Sequence, residues 1–489
     1  MSAPASVDVD VLIIGAGIAG IDAAYRVQSE TKLSYAVVEA RNEIGGTWSL
    51  FKFSGVRSDI DMIQYGYSFR PWTKDKLIAE GWEIRQYIDD VATEKGIKDN
   101  IKFQRRVESA SWSSAEKRWT VTLRRTDPSG GNHEPELMTS RFIFSCTGYY
   151  DDQKGYYPPI KGAQLFKGPL VRPQFWPDNL DYRGKKVVII GSGATAATLL
   201  PSMSRGKDGA SSVTLLQRSP SYYFALPSER PIVNVFRRWA PAWTDQLMRW
   251  WLSTIDFLFF LWCLMFPNAA RRLIRFLTAR QLPPHIPLDP HFDPKYTPWK
   301  ERLCMVADGD FFQTLRSGKG HIATGVIDTF TPDGIQLVDG TFLEADVVVQ
   351  ATGLEVRILG GIDYKVDGET VETGKRWLYR GTMLSNVPNL INSNGYFFQA
   401  WTLGADISAR SFTKLVRHME KKGYSSATPI PPDGIEQITE RFVTSGYIVR
   451  ASGRFPKVST KKPWKGRSHM LADWLDLHFA NVEEDMRFE

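Results

Sequence analysis

Val9-Asp10-Val11-Leu12-Ile13-Ile14-Gly15-Ala16-Gly17-Ile18-Ala19-Gly20 runs from a β-branched apolar stretch straight into a glycine turn. Gly15, Gly17 and Gly20 have the G-x-G-x-x-G spacing of a strand–turn–helix that holds a dinucleotide. The first glycine allows the sharp turn, the second lets backbone approach a pyrophosphate, and the third lets helix and strand pack closely. The helix that starts there aims free N–H groups at phosphates. Tyr35–Val38 reads as the next strand. Glu39 follows it, nineteen residues past Gly20, where a carboxylate accepts a ribose hydroxyl.

The pattern recurs. Lys185–Ile190 reads as a strand, Gly191-Ser192-Gly193-Ala194-Thr195-Ala196 as a turn with alanine in the third glycine place, and Val213–Gln217 as the strand after it. Arg218 then stands where an acid stood in the first copy. An arginine there pairs with a 2′-phosphate, so NADPH is expected over NADH. Phe142–Gly148 is a buried-type strand on which the chain would leave the first module. Asp346–Gly353, another, would bring it back. The expected fold class is therefore α/β, with two nested Rossmann-like dinucleotide-binding domains. Residues 1–150 form the first part of one, 151–345 the other with a helical insertion at 228–300, and 346–489 the return and C-terminal segment.

Between these landmarks, Trp82–Glu94 has helical spacing, Ile101–Phe103 and Trp119–Leu123 read as strands, and Thr126–Glu136 as a polar loop. Gly45-Gly46-Thr47-Trp48 either brings backbone to a ligand under an aromatic cover or is a glycine turn with a core Trp. Asp59 and Asp61 are either a solvated turn or a buried charge cluster.

A chain of 489 residues implies two or three domains. Its net charge of +7 suits solubility, an anionic cofactor or an anionic membrane surface. Basic and aromatic residues do not interleave, which argues against nucleic acid. Cys146, Cys263 and Cys304 lie far apart and point to a reducing, cytoplasmic setting. The seven His lack ligand spacing, so no metal is expected. Met1–Asp10 has no basic n-region, and no signal peptide is expected. Trp250–Phe266 is seventeen residues long and nearly all apolar, with Asp256 near its middle and Arg271, Arg272 and Arg275 beyond it. Two readings stand: a helical lid over the active site, or a peripheral, monotopic membrane contact. Arg454–Arg467, with six basic residues and no acid, is a solvated surface or a lipid-attracted one. Oligomeric state is not legible.

Nested modules ending in Glu39 and Arg218 look like a flavoprotein reduced by NADPH. Phe166-x-Gly168-x-x-x-Arg172-x-x-x-Trp176-Pro177 is similar to the fingerprint of Baeyer–Villiger monooxygenases, within the class B flavin monooxygenases, with Arg172 in place of the fingerprint His. Gly45–Trp48, Phe53-x-Gly55 and Asp59 resemble a second fingerprint, with Ser54 where Pro is usual, and Gly353 closes a third. The likeness spans the chain. It is strongest to the ethionamide-activating subgroup through Arg57–Met62, Pro298–Cys304 and Trp401–Asp406.

The resemblance implies FAD, NADPH and O2, with a C4a-peroxyflavin attacking a small apolar ketone to give an ester or lactone. It implies catalytic roles for Arg302, for Asp59 as its orienting acid, and for Arg57. It implies FAD contacts at Gly15, Gly17, Ile18, Ala19, Gly20, Glu39, Gly46, Thr47, Trp48, Ser49, Leu50, Asp59, Val107, Gly148 and Gly353. NADP contacts are implied at Arg57, Ser58, Gly191, Ser192, Gly193, Ala194, Thr195, Ala196, Gln217, Arg218 and Ser219. The alternatives are S- or N-oxygenation of a sulfide or amine, and a flavin-binding protein without turnover. A thiol–disulfide reductase would need a close Cys pair, which the sequence lacks.

Overall fold

A computed structural model describes residues 6–127, 134–301, 303–439 and 444–489. Arg302, the middle of the Thr126–Glu136 loop and the first five residues lie outside the described residues.

Strand β1 (Val9–Ile14) leads into the helix Ile18–Glu30 and then β2 (Tyr35–Val38). A helix at Gly81–Glu94 and a two-residue β3 (Ile101–Lys102) follow. Next come β4 (Arg105–Ser113), β5 (Arg118–Arg125) and β6 (Glu136–Ser145). In the first sheet β6, β1, β2 and β3 are parallel neighbours, and β4 and β5 extend it antiparallel from β6. Val11 and Ile13 pack on the helical side and Leu12 and Ile14 on the other, all buried. Burial on both faces is why Val11–Ile14 is an unbroken apolar run instead of an alternating one.

The chain leaves on β7 (Tyr150–Gly155). The fingerprint loop contributes a short edge strand, β8 (Leu170–Val171). β9 (Lys186–Ile190), the helix Ala194–Ser204 and β10 (Ser212–Gln217) form the second glycine-turn unit. The second sheet runs Gly320–Thr324, β10, β9, Val347–Gln350, β8, all parallel.

One boundary moves. Val347–Gln350 is hydrogen-bonded on both sides inside the second sheet, so the expected return at residue 346 comes too early. The chain recrosses after Gly353, where Leu354–Val356 pairs antiparallel with β7. Two antiparallel connections thus form the ribbon between the modules.

The insertion is helical as expected, with helices at Pro231–Trp239, Pro241–Met265 and Pro267–Ala279. The returning helix Trp401–Lys422 lies on the first module. Phe412 sits 5.4 Å, ring to ring, from both Phe142 and Phe144. Buried Arg26 of the first helix bonds Asp406 at 2.8 Å and Glu30 at 3.0 Å, with Asp22 at 3.9 Å. Burial, then the Asp406 charge, holds the Asp22 carboxyl well above the usual aspartate range. A charge cluster this dry persists only while each member keeps its partner.

Candidate active site

Gly15 turns with φ of +106°, and a Cβ there would stand 2.7 Å from the carbonyl oxygen of Cys146. A Cβ on Gly20 would stand 1.8 Å from the carbonyl oxygen of Gly15. Gly46, with φ of +58°, faces Gly17 so closely that a Cβ on it would lie 2.9 Å from the Gly17 Cα. Two bare backbones therefore form one lip of a cleft of about 450 Å³.

Glu39 is buried at the end of β2, where its Oε2 accepts from the Ala16 N–H at 2.8 Å and its Oε1 from the Arg41 N–H at 2.9 Å. A carboxylate has about four acceptor sites, which leaves room for ribose hydroxyls. Arg41 donates from Nη2 to the Gly46 carbonyl at 2.7 Å. Its Nη1 is buried and has no hydrogen-bond partner among the described residues. A buried guanidinium donor left open beside two glycines fits the pyrophosphate of a dinucleotide, which would accept from it. The site thus fits FAD.

Of the expected FAD residues, Gly15, Gly17, Ile18, Ala19, Glu39, Gly46, Thr47, Trp48, Leu50, Asp59, Val107 and Gly148 line this one cleft. Three do not. Gly20 is spent on packing against Gly15. Ser49 is turned back onto the Gly46 carbonyl at 3.2 Å. Gly353 lies at the interdomain ribbon, with Arg450 nearest.

Ser58, Asp59, Ile60 and Asp61 also line the cleft. Asp61 caps a helical turn by accepting from the Gln64 N–H at 3.1 Å, and Arg230 lies 3.5 Å from it. Gln64 in turn donates to Asp256 Oδ2 at 2.8 Å. Burial holds the Asp256 carboxyl above the ordinary range. The two readings divide between the two acids: Asp61 is buried and bonded, as a buried cluster requires, whereas Asp59 is exposed.

Arg57 does not line the cleft. Its guanidinium is bidentate on Asp310 at 2.6 and 3.0 Å, and Arg205 joins the same carboxylate at 2.8 Å. Asp310 is buried and needs this countercharge. Arg57 thereby ties the first module to the second, which corrects its expected place at the reacting centre.

Much of the cleft lining is aromatic. Phe259, Trp299, Tyr396, Phe398 and Trp401 line the same cleft as the acids, together with Leu303 and Met305. Sequence reading missed this lining, because its residues come from the insertion, from beyond it and from the returning segment. It also missed Arg41, whose only signal was a cation just after Glu39. Trp48 donates from Nε1 to the Tyr65 hydroxyl at 2.9 Å, so it is fixed as well as lining the cleft. The inward side of Pro241–Met265 reaches the cleft through Asp256 and Phe259.

The second turn is arranged differently. A Cβ on Gly193 would meet nothing within 4 Å, so the turn is open for a ligand. Ser192 Oγ accepts from Ser221 at 3.0 Å. Ala194, Thr195 and Ala196 open the helix whose N-terminus faces the turn. Arg218 and Ser219 are exposed at the end of β10. Gln217 is turned inward instead, donating to the His291 carbonyl at 2.7 Å and the Thr324 hydroxyl at 2.9 Å. A ligand therefore meets its neighbours and not its side chain.

In the fingerprint loop, Gly168 presses on the Asp346 carbonyl, where a Cβ would come within 2.2 Å. The Arg172 guanidinium lies over the Tyr157 ring at 4.3 Å. Among the described residues no cluster of His, Cys, Asp or Glu could hold a metal ion.

Residues 13–70 match the family model of the NAD(P)-binding Rossmann-like domain. The chain is 39% identical over 483 residues to the FAD-containing monooxygenase EthA of Mycolicibacterium smegmatis, covering 97% of this chain and 96% of that protein. Its fold is similar to that of OTEMO in complex with FAD and NADP, with a TM-score of 0.75 at 19% identity and 99% of this chain and 100% of that one covered. It is likewise similar to cyclohexanone monooxygenase holding ε-caprolactone, with a TM-score of 0.76 at 18% identity and 98% and 99% covered.

Proposed function

The chain belongs to the FAD-containing monooxygenases of the Baeyer–Villiger type, and from that premise we propose that it inserts one oxygen atom into an apolar ketone to give an ester or lactone. The observation that carries this reading is the single cleft in which the flavin-type glycine lip, a cluster of acids and an aromatic wall meet. FAD, once reduced by NADPH, supplies activated dioxygen; one oxygen atom enters the carbon–carbon bond beside the carbonyl and the other leaves as water.

The residues bind, orient and exclude water. Glu39 and Arg41 would hold the ribose and pyrophosphate ends of FAD. Trp299, Phe398 and Trp401 would hold the apolar body of the ketone and keep the site dry, which strengthens every charge in it. Negative charge develops on the substrate's carbonyl oxygen, and a fixed cation there lowers the barrier. Arg302 has that role by its motif position, and its chain neighbour Leu303 lines the cleft. Asp59 would orient it. Gly193 and the following helix N-terminus would take the NADPH pyrophosphate, and Arg218 the 2′-phosphate.

Heteroatom oxygenation is the second reading. The observation behind it is Arg172, which stacks on Tyr157 and cannot exchange a proton near neutrality as a His could. Purified holoenzyme with NADPH and a panel of ketones and sulfides, read by mass spectrometry, decides between the two. An ester or lactone from a ketone supports the first reading, and sulfoxides alone would replace it with the second. Arg302→Ala should still be reduced by NADPH and lose product about 10²-fold, the scale for one missing oxyanion donor. Full product yield from that variant would remove Arg302 from the mechanism.

A further inference from the structure

The long helix Pro241–Met265 is amphipathic in the reverse sense for a soluble domain. Its polar side faces inward: Asp245, Arg249 and Ser253 are buried. Arg249 donates to the Gly66 carbonyl at 2.7 Å, Ser253 to Gln64 Oε1 at 3.0 Å, and Asp256 accepts from Gln64. Its outward side is apolar. Trp243, Leu247, Trp251, Leu258 and Met265 recur at helical spacing and are exposed, Trp243 at 85%. Trp239, at the end of the preceding helix, is 86% exposed. A contiguous patch with three Trp on its surface marks an interaction site.

Charge says what covers it. Residues 231–280 contain seven Arg and two acids, and both acids, Asp245 and Asp256, are on the inward side. Arg272 on the following helix and Arg280 at its end are exposed, and exposed Arg238, beside Trp239, lies 3.1 Å from Asp75. An apolar face with indole rings and a basic rim complements an anionic bilayer surface. The helix is long and apolar enough to cross a membrane. Crossing would tear Arg249, Ser253 and Asp256 from their partners in the first module, so the helix must lie in the interface plane.

We propose that this face docks on an anionic lipid surface and that the cleft draws its substrate out of the lipid. The second half rests on the ketone reading above. Asp256 and Phe259 of the same helix line the cleft, and so does Phe397, which is 65% exposed. A docked enzyme therefore keeps its cleft directly behind the docked helix, one helix thickness from the acyl chains, and the substrate class is a lipid-dissolved, long-chain ketone.

The test sediments holoenzyme with vesicles of phosphatidylcholine alone or mixed with phosphatidylglycerol. Binding should be at least about tenfold stronger to the anionic vesicles and should weaken at about 1 M salt, where the Debye length is about 3 Å. Trp243→Ser with Leu247→Ser and Trp251→Ser should lower vesicle binding by about tenfold or more, since each buried large side chain contributes strongly to partition. The triple variant should turn over a short, water-soluble ketone at the parent rate and a long-chain ketone carried in vesicles more slowly. Equal binding by parent and variant, or no binding by either, overturns the proposal. So does a parent that binds no lipid and is a dimer split by the triple substitution, because the patch is then a protein interface. Vesicle binding with no oxygenation of any ketone would leave docking standing and overturn the delivery half together with the ketone reading.

Discussion

At the first glycine turn a methyl on Gly20 would stand 1.8 Å from the Gly15 carbonyl oxygen, whereas at the second turn Ala196 carries that methyl and is fully buried. The first helix lies tight against its strand, and the second stands off by about one methyl. The strand ends differ too. Glu39 is buried and bonded back to the turn, while Arg218 is exposed to solvent. The same motif thus makes two unlike sites, one set into a deep cleft and one open at the surface. A bound flavin must stay through turnover, whereas a nicotinamide must come and go. The motif fixes the pyrophosphate cradle, and the surroundings decide how tightly the ligand is held.

The comparison breaks first at Gly20. Gly20→Ala should cost about 3 kcal/mol or more, the upper range for overpacking, and yield protein without flavin, as read by thermal unfolding and by absorbance of the purified protein. Ala196→Gly, the reciprocal change, should cost only about 1 kcal/mol, the ordinary penalty for glycine in a helix. Equal costs would mean that the spacing difference has no energetic meaning. Glu39→Gln loses a charged acceptor for buried N–H groups and for the ribose, worth about 1.5–3 kcal/mol, so FAD should dissociate about tenfold to a hundredfold more readily. Normal flavin retention would show that Glu39 serves only the turn. Arg218→Ala should abolish an NADPH-over-NADH preference of about tenfold, about 1.4 kcal/mol, in the rate of flavin reduction. A preference that survives the substitution would move 2′-phosphate recognition elsewhere.

The smallest effect concerns pH, and its sign is opposite in the two regions. Asp22, on the first helix, and Asp256, in the flavin cleft, are held above their ordinary 3.8 by burial. Their contribution is fully present below that value and is lost as pH rises through the folded one. His291, under the Arg218 strand, is held below 6.5 by burial, with Nδ1 against the Thr324 hydroxyl at 2.8 Å. Its contribution is present above 6.5 and lost as pH falls through the folded value. Between about pH 8 and about pH 5, His291→Asn should therefore flatten the acid-side fall in melting temperature. An unchanged profile would show that His291 adds nothing to the pH response.

Sequence alone determined the two nested modules and most of the flavin lip. Glycine spacing and apolar periodicity are local signals, and the contacts they specify are made within about forty residues of chain. Gly15, Gly17, Glu39 and the Gly46–Trp48 turn were legible for that reason. Tertiary structure decided the rest. Gly353 falls at the ribbon because Val347–Gln350 joins the second sheet, and strand pairing across the chain leaves no trace in the strand's own residues. Arg57 pairs with Asp310, a partner 253 residues away. The aromatic wall meets the acids only because the returning segment folds back over the first module. The long helix has an apolar composition that fits both a lid and a membrane contact. Only the packing of Arg249, Ser253 and Asp256 against Gly66 and Gln64 fixed which side faces out, since buried polar groups need partners and the exposed side is whatever remains.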